Sequence, residues 1–142
     1  MKKVCLLFLF FCSITQLFGQ IRSKKSKDYT SIHLTVFEKA RNLGDVSTAI
    51  NSLNYLLVEN PEKYKLYADT LAIIYQNSGN YTQCISLTDD LLKVNPDKES
   101  LLAIKANCLK QGGQTNESAD LYSRLYAKTN QFWYGVELLQ FS

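Results

Sequence analysis

A chain of 142 residues with 46% hydrophobic and 20% charged side chains has room for one ordinary globular domain; it excludes a disordered tail, a collagen-like rod and a disulfide-dense miniprotein. The formal charge of +3 is concentrated at the front, because from Tyr29 onward 10 basic residues face 12 acidic ones. That body has no basic face able to neutralise a run of phosphates, so no nucleic-acid partner is expected, and a single histidine, His33, cannot build a multi-histidine metal centre.

The chain opens on Met1-Lys2-Lys3 and an unbroken apolar run from Val4 to Cys12, with a small residue at Gly19. A positive start followed by an apolar run about half the ~20 residues of a membrane span reads as a secretory signal over residues 1–19. Leu9-Phe10-Phe11 offers no small residue before Cys12, which argues against lipid attachment there. A basic linker follows over 20–29 and holds Arg22, Lys24, Lys25 and Lys27. Four charges without an amphipathic helix give only marginal attachment to an anionic surface, so membrane contact is disfavoured. The expected location after cleavage is periplasmic, envelope-associated or secreted. Cleavage leaves only Cys84 and Cys108, which in an oxidising compartment could bridge or could each pack as a small apolar group.

The remaining chain repeats itself with a period near 35. Gly44, Gly79 and Gly113 recur in step with Ala49, Cys84 and Ser118 and with Asn60, Asn95 and Asn130. In the first unit Ile32, Leu34, Phe37 and Ala40 mark a helix ending before Gly44, and Ala49, Ile50, Leu53, Leu56 and Leu57 mark its partner. In the second, Tyr67, Ala68, Leu71, Ala72 and Tyr75 precede Ser78-Gly79-Asn80, and Ile85, Leu87, Leu91, Leu92 and Val94 follow. In the third, Leu102, Ala106 and Leu109 precede Gln111-Gly112-Gly113, and Ala119, Leu121, Tyr122, Leu125 and Tyr126 follow. Glycine suits each helix end because a left-handed backbone costs it little. Asn60-Pro61-Glu62 and Asn95-Pro96-Asp97 are expected to open the next helices, with Asn as cap and Pro in the first turn; Asn130-Gln131 marks the same place before a terminal apolar helix.

Ala72-x-x-Tyr75-x-x-x-Gly79-x-Tyr81, then Cys84 and Asn95-Pro96, resembles a tetratricopeptide repeat. The first unit departs from that pattern with Val46 after its glycine, and the third with Thr115, Ser118 and no proline. The resemblance implies an all-α, right-handed superhelical solenoid of antiparallel helix hairpins over 30–142, with units at about 30–64, 65–98 and 99–130 and a terminal helix over 131–142. It also implies a non-catalytic scaffold of the envelope or secreted space that binds a protein or peptide in a concave groove lined by the first helix of each hairpin. Glu38, Arg41, Asn42, Ile73, Gln76, Asn77, Asn107, Lys110 and Gln111 fall on that face. Amides suit an extended peptide because each donates and accepts. Leu34, Glu38 and Ser100 stand where a clamp for acidic peptide tails would need Lys or Asn, so that mode is disfavoured.

The chemistry of an enzyme is missing from the sequence: it has no Gly-Lys-Ser phosphate loop, no Gly-x-Ser-x-Gly elbow and no Cys-x-x-Cys. No catalytic residue, cofactor or metal is therefore expected, and His33 reads as a surface or capping side chain. The terminal segment from Phe132 to Phe141 is rich in large apolar groups, and Trp133 and Phe141 are the expected contacts of a docking surface. The alternative reading is a piece of the repeat region of a larger envelope sensor or secretion protein that self-associates through this helix.

Overall fold

The computed structural model describes residues 29–141; the expected signal and most of the basic linker lie outside the described residues. These form only helices and connecting turns, and the chain divides into two compact units between Glu59 and Asn60.

The first unit is one hairpin. Helix α1 covers described residues 29–43 and α2 covers Val46–Glu59. Phe37, Ala40, Ala49, Leu53 and Leu56 are its buried apolar side chains. They recur every three or four residues, so each helix turns one stripe inward. Asp45 caps α2 by accepting from the Thr48 backbone N–H at 3.1 Å, and hydrogen bonds from Thr48 hold its carboxyl below the usual carboxylate range. His33 sits inside the hairpin, stacked on Tyr55 with centroids 3.9 Å apart. The expectation of a surface or capping histidine therefore gives way to an aromatic packing role.

The second unit runs α3 (Pro61–Tyr64), α4 (Leu66–Asn77), α5 (Tyr81–Val94), α6 (Glu99–Gln111), α7 (Thr115–Thr129) and α8 (Phe132–Leu138), closed by a 3-10 turn at Leu139–Phe141. Each of α4 to α8 packs on its successor, and α4 also packs on α6.

The three glycine landmarks end their helices in one way. Gly44, Gly79 and Gly113 have φ of 72°, 77° and 85°. The N–H of the following residue then reaches back five positions: Asp45 to Ala40 at 2.8 Å, Asn80 to Tyr75 at 2.9 Å and Gln114 to Leu109 at 2.9 Å. This closure satisfies carbonyls that the helix end would orphan.

The second landmark series is equally physical. Ala49, Cys84 and Ser118 are all buried, each in the first turn of the second helix of its hairpin. Ser118 is polar there, and its hydroxyl donates to the Ala106 carbonyl of α6 at 2.7 Å, so burial leaves no unpaired group. Cys84 is joined to Cys108 by a disulfide with Cα atoms 6.4 Å apart. The bridge ties the start of α5 to the end of α6, so the alternative of two independent apolar thiols does not hold.

The asparagines are the exception to the repeat. Asn60 caps α3 as expected, its side chain accepting from the Lys63 N–H at 3.2 Å with Pro61 in the first turn. Asn95 instead terminates α5, its backbone N–H donating to Leu91, and α6 opens two residues past Asp97, at Glu99. Asn130 terminates α7 in a left-handed conformation with φ of 53°. Asparagine tolerates that region better than most side chains, so the same residue serves opposite helix ends.

Candidate functional site

The face expected to meet a partner is divided between the two units. On α1, Glu38 and Arg41 form an exposed ion pair at 2.7 Å, the Arg41 guanidinium lies 5.7 Å from the centre of the Phe37 ring, and Asn42 is exposed. On the second unit, α4 carries Ile73, Gln76 and Asn77, and α6 carries Asn107, Lys110 and Gln111 at equivalent positions 34 residues on. Packing of α4 against α6 brings these six onto neighbouring helices of one body. Ile73, Asn77 and Gln111 are exposed; Gln76, Asn107 and Lys110 are half-buried.

Lys98, just before α6, makes an ion pair to Asp69 of α4, and Lys105 of α6 pairs with Asp89 of α5 at 2.6 Å. These pairs join α6 to its neighbours and, being partly exposed, add little to stability. The face therefore rests on helices held by packing, a disulfide and cross-helix pairs.

Lys110 has an engagement that the sequence reading missed. Its ammonium donates to Glu137 at 2.6 Å and to Gln140, both from the C-terminal segment. At the other end of α6, Glu99 accepts from the Gln131 amide and from the Tyr134 hydroxyl, both at 2.8 Å. Burial, and then the bond to Glu99, push the Tyr134 phenol up to about 12. Burial, with Glu137 and Tyr134 adding to it, does the same to Tyr122. The signal was available in the separations: Tyr134 follows Glu99 by 35 residues, the repeat period itself.

The terminal segment, α8 with its 3-10 turn, carries large apolar side chains both against the core and toward solvent. Tyr134, Leu138 and Phe141 pack against the cluster of Leu102, Ala106, Leu109, Leu121, Tyr122 and Leu125, with Phe141 6.3 Å from the Tyr122 ring. Phe132, Trp133 and Leu139 stay 72%, 71% and 74% exposed, Phe132 and Trp133 meeting edge to face at 5.9 Å. Of the two residues expected on a docking surface, Trp133 is exposed and Phe141 is half-buried in the cluster.

Among the described residues no group of His, Cys, Asp or Glu could hold a metal ion, and no helix is long and apolar enough to cross a membrane. No family model and no curated relative matches the sequence. Among solved structures, a tetratricopeptide repeat protein from Parabacteroides merdae is similar, with a TM-score of 0.62 over 84% of this chain at 24% identity. The chain has a tetratricopeptide-repeat fold. It spans 52% of the length of that neighbour, about half. Within the tetratricopeptide frame, α4 and α6 are the first helices of successive hairpins, and α8 takes the place of the first helix of another.

Proposed function

We propose that the protein is a non-catalytic interaction module that holds an extended peptide or protein segment against the α4–α6 face. The observation that carries this reading is the row of Gln76, Asn77, Lys110 and Gln111 on adjacent first helices, with Ile73 as an exposed apolar foothold. Side-chain amides both donate to and accept from a peptide backbone, and Lys110 is already neutralised by Glu137, so the face suits neutral backbone more than a charged tail. Glu38, Arg41 and Asn42 on α1 form a separate polar face of the first unit. The tetratricopeptide fold is typically non-catalytic, and the fold alone does not name a partner.

Export supports the setting. Met1-Lys2-Lys3 and the apolar run behind it read as a signal, and a Cys84–Cys108 bridge suits an oxidising compartment. A second reading has its own observation: the exposed Phe132, Trp133 and Leu139 favour self-association through α8.

Selection of binders from a random-peptide library, repeated with a Gln76→Ala, Asn77→Ala, Asn107→Ala variant, separates the two. The first reading expects peptides that lose affinity by about tenfold or more on the variant, as several hydrogen bonds to an interface predict. Peptides that bind both chains equally, together with a concentration-dependent dimer abolished by Trp133→Ser, would transfer the function to α8.

A further inference from the structure

Helices α4 and α6 carry four charged side chains, Asp69, Glu99, Lys105 and Lys110, and each is engaged from outside its own helix. Asp69 pairs with Lys98, Lys105 pairs with Asp89, and Glu99 accepts from Gln131 and Tyr134. Lys110 is the charged member of the row that includes Gln76, Asn77 and Gln111, and its partner is Glu137 at 2.6 Å.

That last pair decides the charge of the row. Lys110 and Glu137 are largely shielded, with 21% and 30% of their side chains exposed, so removing one would leave the other as an uncompensated charge in a half-buried place. Lys110 without Glu137 would be an ammonium next to the Gln140 amide and one helical turn from the Asn107 amide, a set of donors suited to a carboxylate. With Glu137 in place, the seat that a ligand's carboxylate would take is filled from within the chain.

We propose that Glu137 is a specificity-determining residue of the α4–α6 face, an in-chain carboxylate that excludes acidic segments from the end of α6 and leaves the face to uncharged ones. This rests on the reading of that face as a peptide-binding surface. An acidic side chain arriving there meets a like charge and finds the ammonium already satisfied. A repelling group of this kind rejects one class of partner without adding any contact to another.

The test is titration of the ¹⁵N-labelled full chain at low salt, where charge effects are least screened, with acetyl-hexaglutamate-amide and its uncharged match acetyl-hexaglutamine-amide. The readout is the amide shifts of residues 107–111, the end of α6. The unaltered chain should bind hexaglutamate no more tightly than hexaglutamine. Glu137→Gln, which keeps the side-chain shape, should raise hexaglutamate affinity about tenfold, as one charge-assisted bond implies, and leave hexaglutamine unchanged. Adding Lys110→Gln should remove the gain. Tyr134→Phe loosens α8 at its other attachment without freeing Lys110, and should give no gain, which separates charge from loosening. An unchanged hexaglutamate affinity in Glu137→Gln, a gain that survives the loss of Lys110, or an equal gain in Tyr134→Phe would overturn the assignment. So would a preference of the unaltered chain for hexaglutamate at the end of α6. The library selection tests the face on the unaltered chain, whereas these titrations turn on the difference made by Glu137→Gln, so the two failures are distinguishable.

Discussion

The α5–α6 junction and the C-terminal helix are both attached to α6, but by different physics. At the junction, Cys84, Thr88, Leu101 and Cys108 are almost wholly buried, the disulfide closes the side opposite the connecting turn, and the Thr88 hydroxyl is satisfied within its own helix. In α8 no residue is fully buried, and the helix is held by half its apolar surface and by the polar contacts to Lys110 and Glu99. The lesson is that one repeating frame can hold a rigid platform and a loosely fastened edge next to each other. Local unfolding should begin where few apolar groups are covered.

The largest test removes the covalent part of that contrast. A Cys84→Ala, Cys108→Ala variant should lose about 3 kcal/mol in urea unfolding, the entropic value for a loop of this length. A loss confined to the C-terminal helix, or none, would break the comparison. Ala72 of α4, which packs on both α5 and α6, is fully shielded. Ala72→Phe should overpack the α4 contacts and lower stability by about 2 kcal/mol, measured as a drop in the circular dichroism melting midpoint.

A third test sharpens the comparison through pH. Tyr122, buried beneath α8, has its phenol raised to about 12 from an ordinary value near 10. A raised folded value means the native state keeps its proton while the unfolded chain has lost it, so stability is complete below pH 10 and drains away between 10 and 12. At pH 11 the loss from Tyr122 is about 1 kcal/mol. Tyr122→Phe should flatten that part of the pH–stability curve; an unchanged slope would contradict the burial of the phenol. The smallest effect concerns the clasp itself. Glu137→Gln should cost less than about 1 kcal/mol globally, yet raise amide exchange across α8 while leaving α5 and α6 protected.

The helices were legible because their determinants are local. Apolar spacing placed the stripes, and the positive φ at Gly44, Gly79 and Gly113 is a demand that glycine announces in sequence. Helix starts were less legible: Asn95 and Asn130 belong to the helices before them, because asparagine serves either end and tertiary packing decides which. The face residues on α4 and α6 could be counted off the period. Their electrostatic state could not, since Lys110 is neutralised by a residue 27 positions away, and His33 is packed on Tyr55 of the opposite helix. Nor could the sequence choose between bridged and separate cysteines, a matter of a 6.4 Å Cα separation. The repeat period held part of the missing information, in the pairing of Glu99 with Tyr134 one unit on.

The most direct measurement of the functional claim is hydrogen exchange of the chain with and without a peptide selected from the random library. Slower exchange over α4 and α6, absent in the Gln76→Ala, Asn77→Ala, Asn107→Ala variant, is the predicted result. Protection confined to α8 and abolished by Trp133→Ser would contradict it and make the loosely fastened edge the working surface.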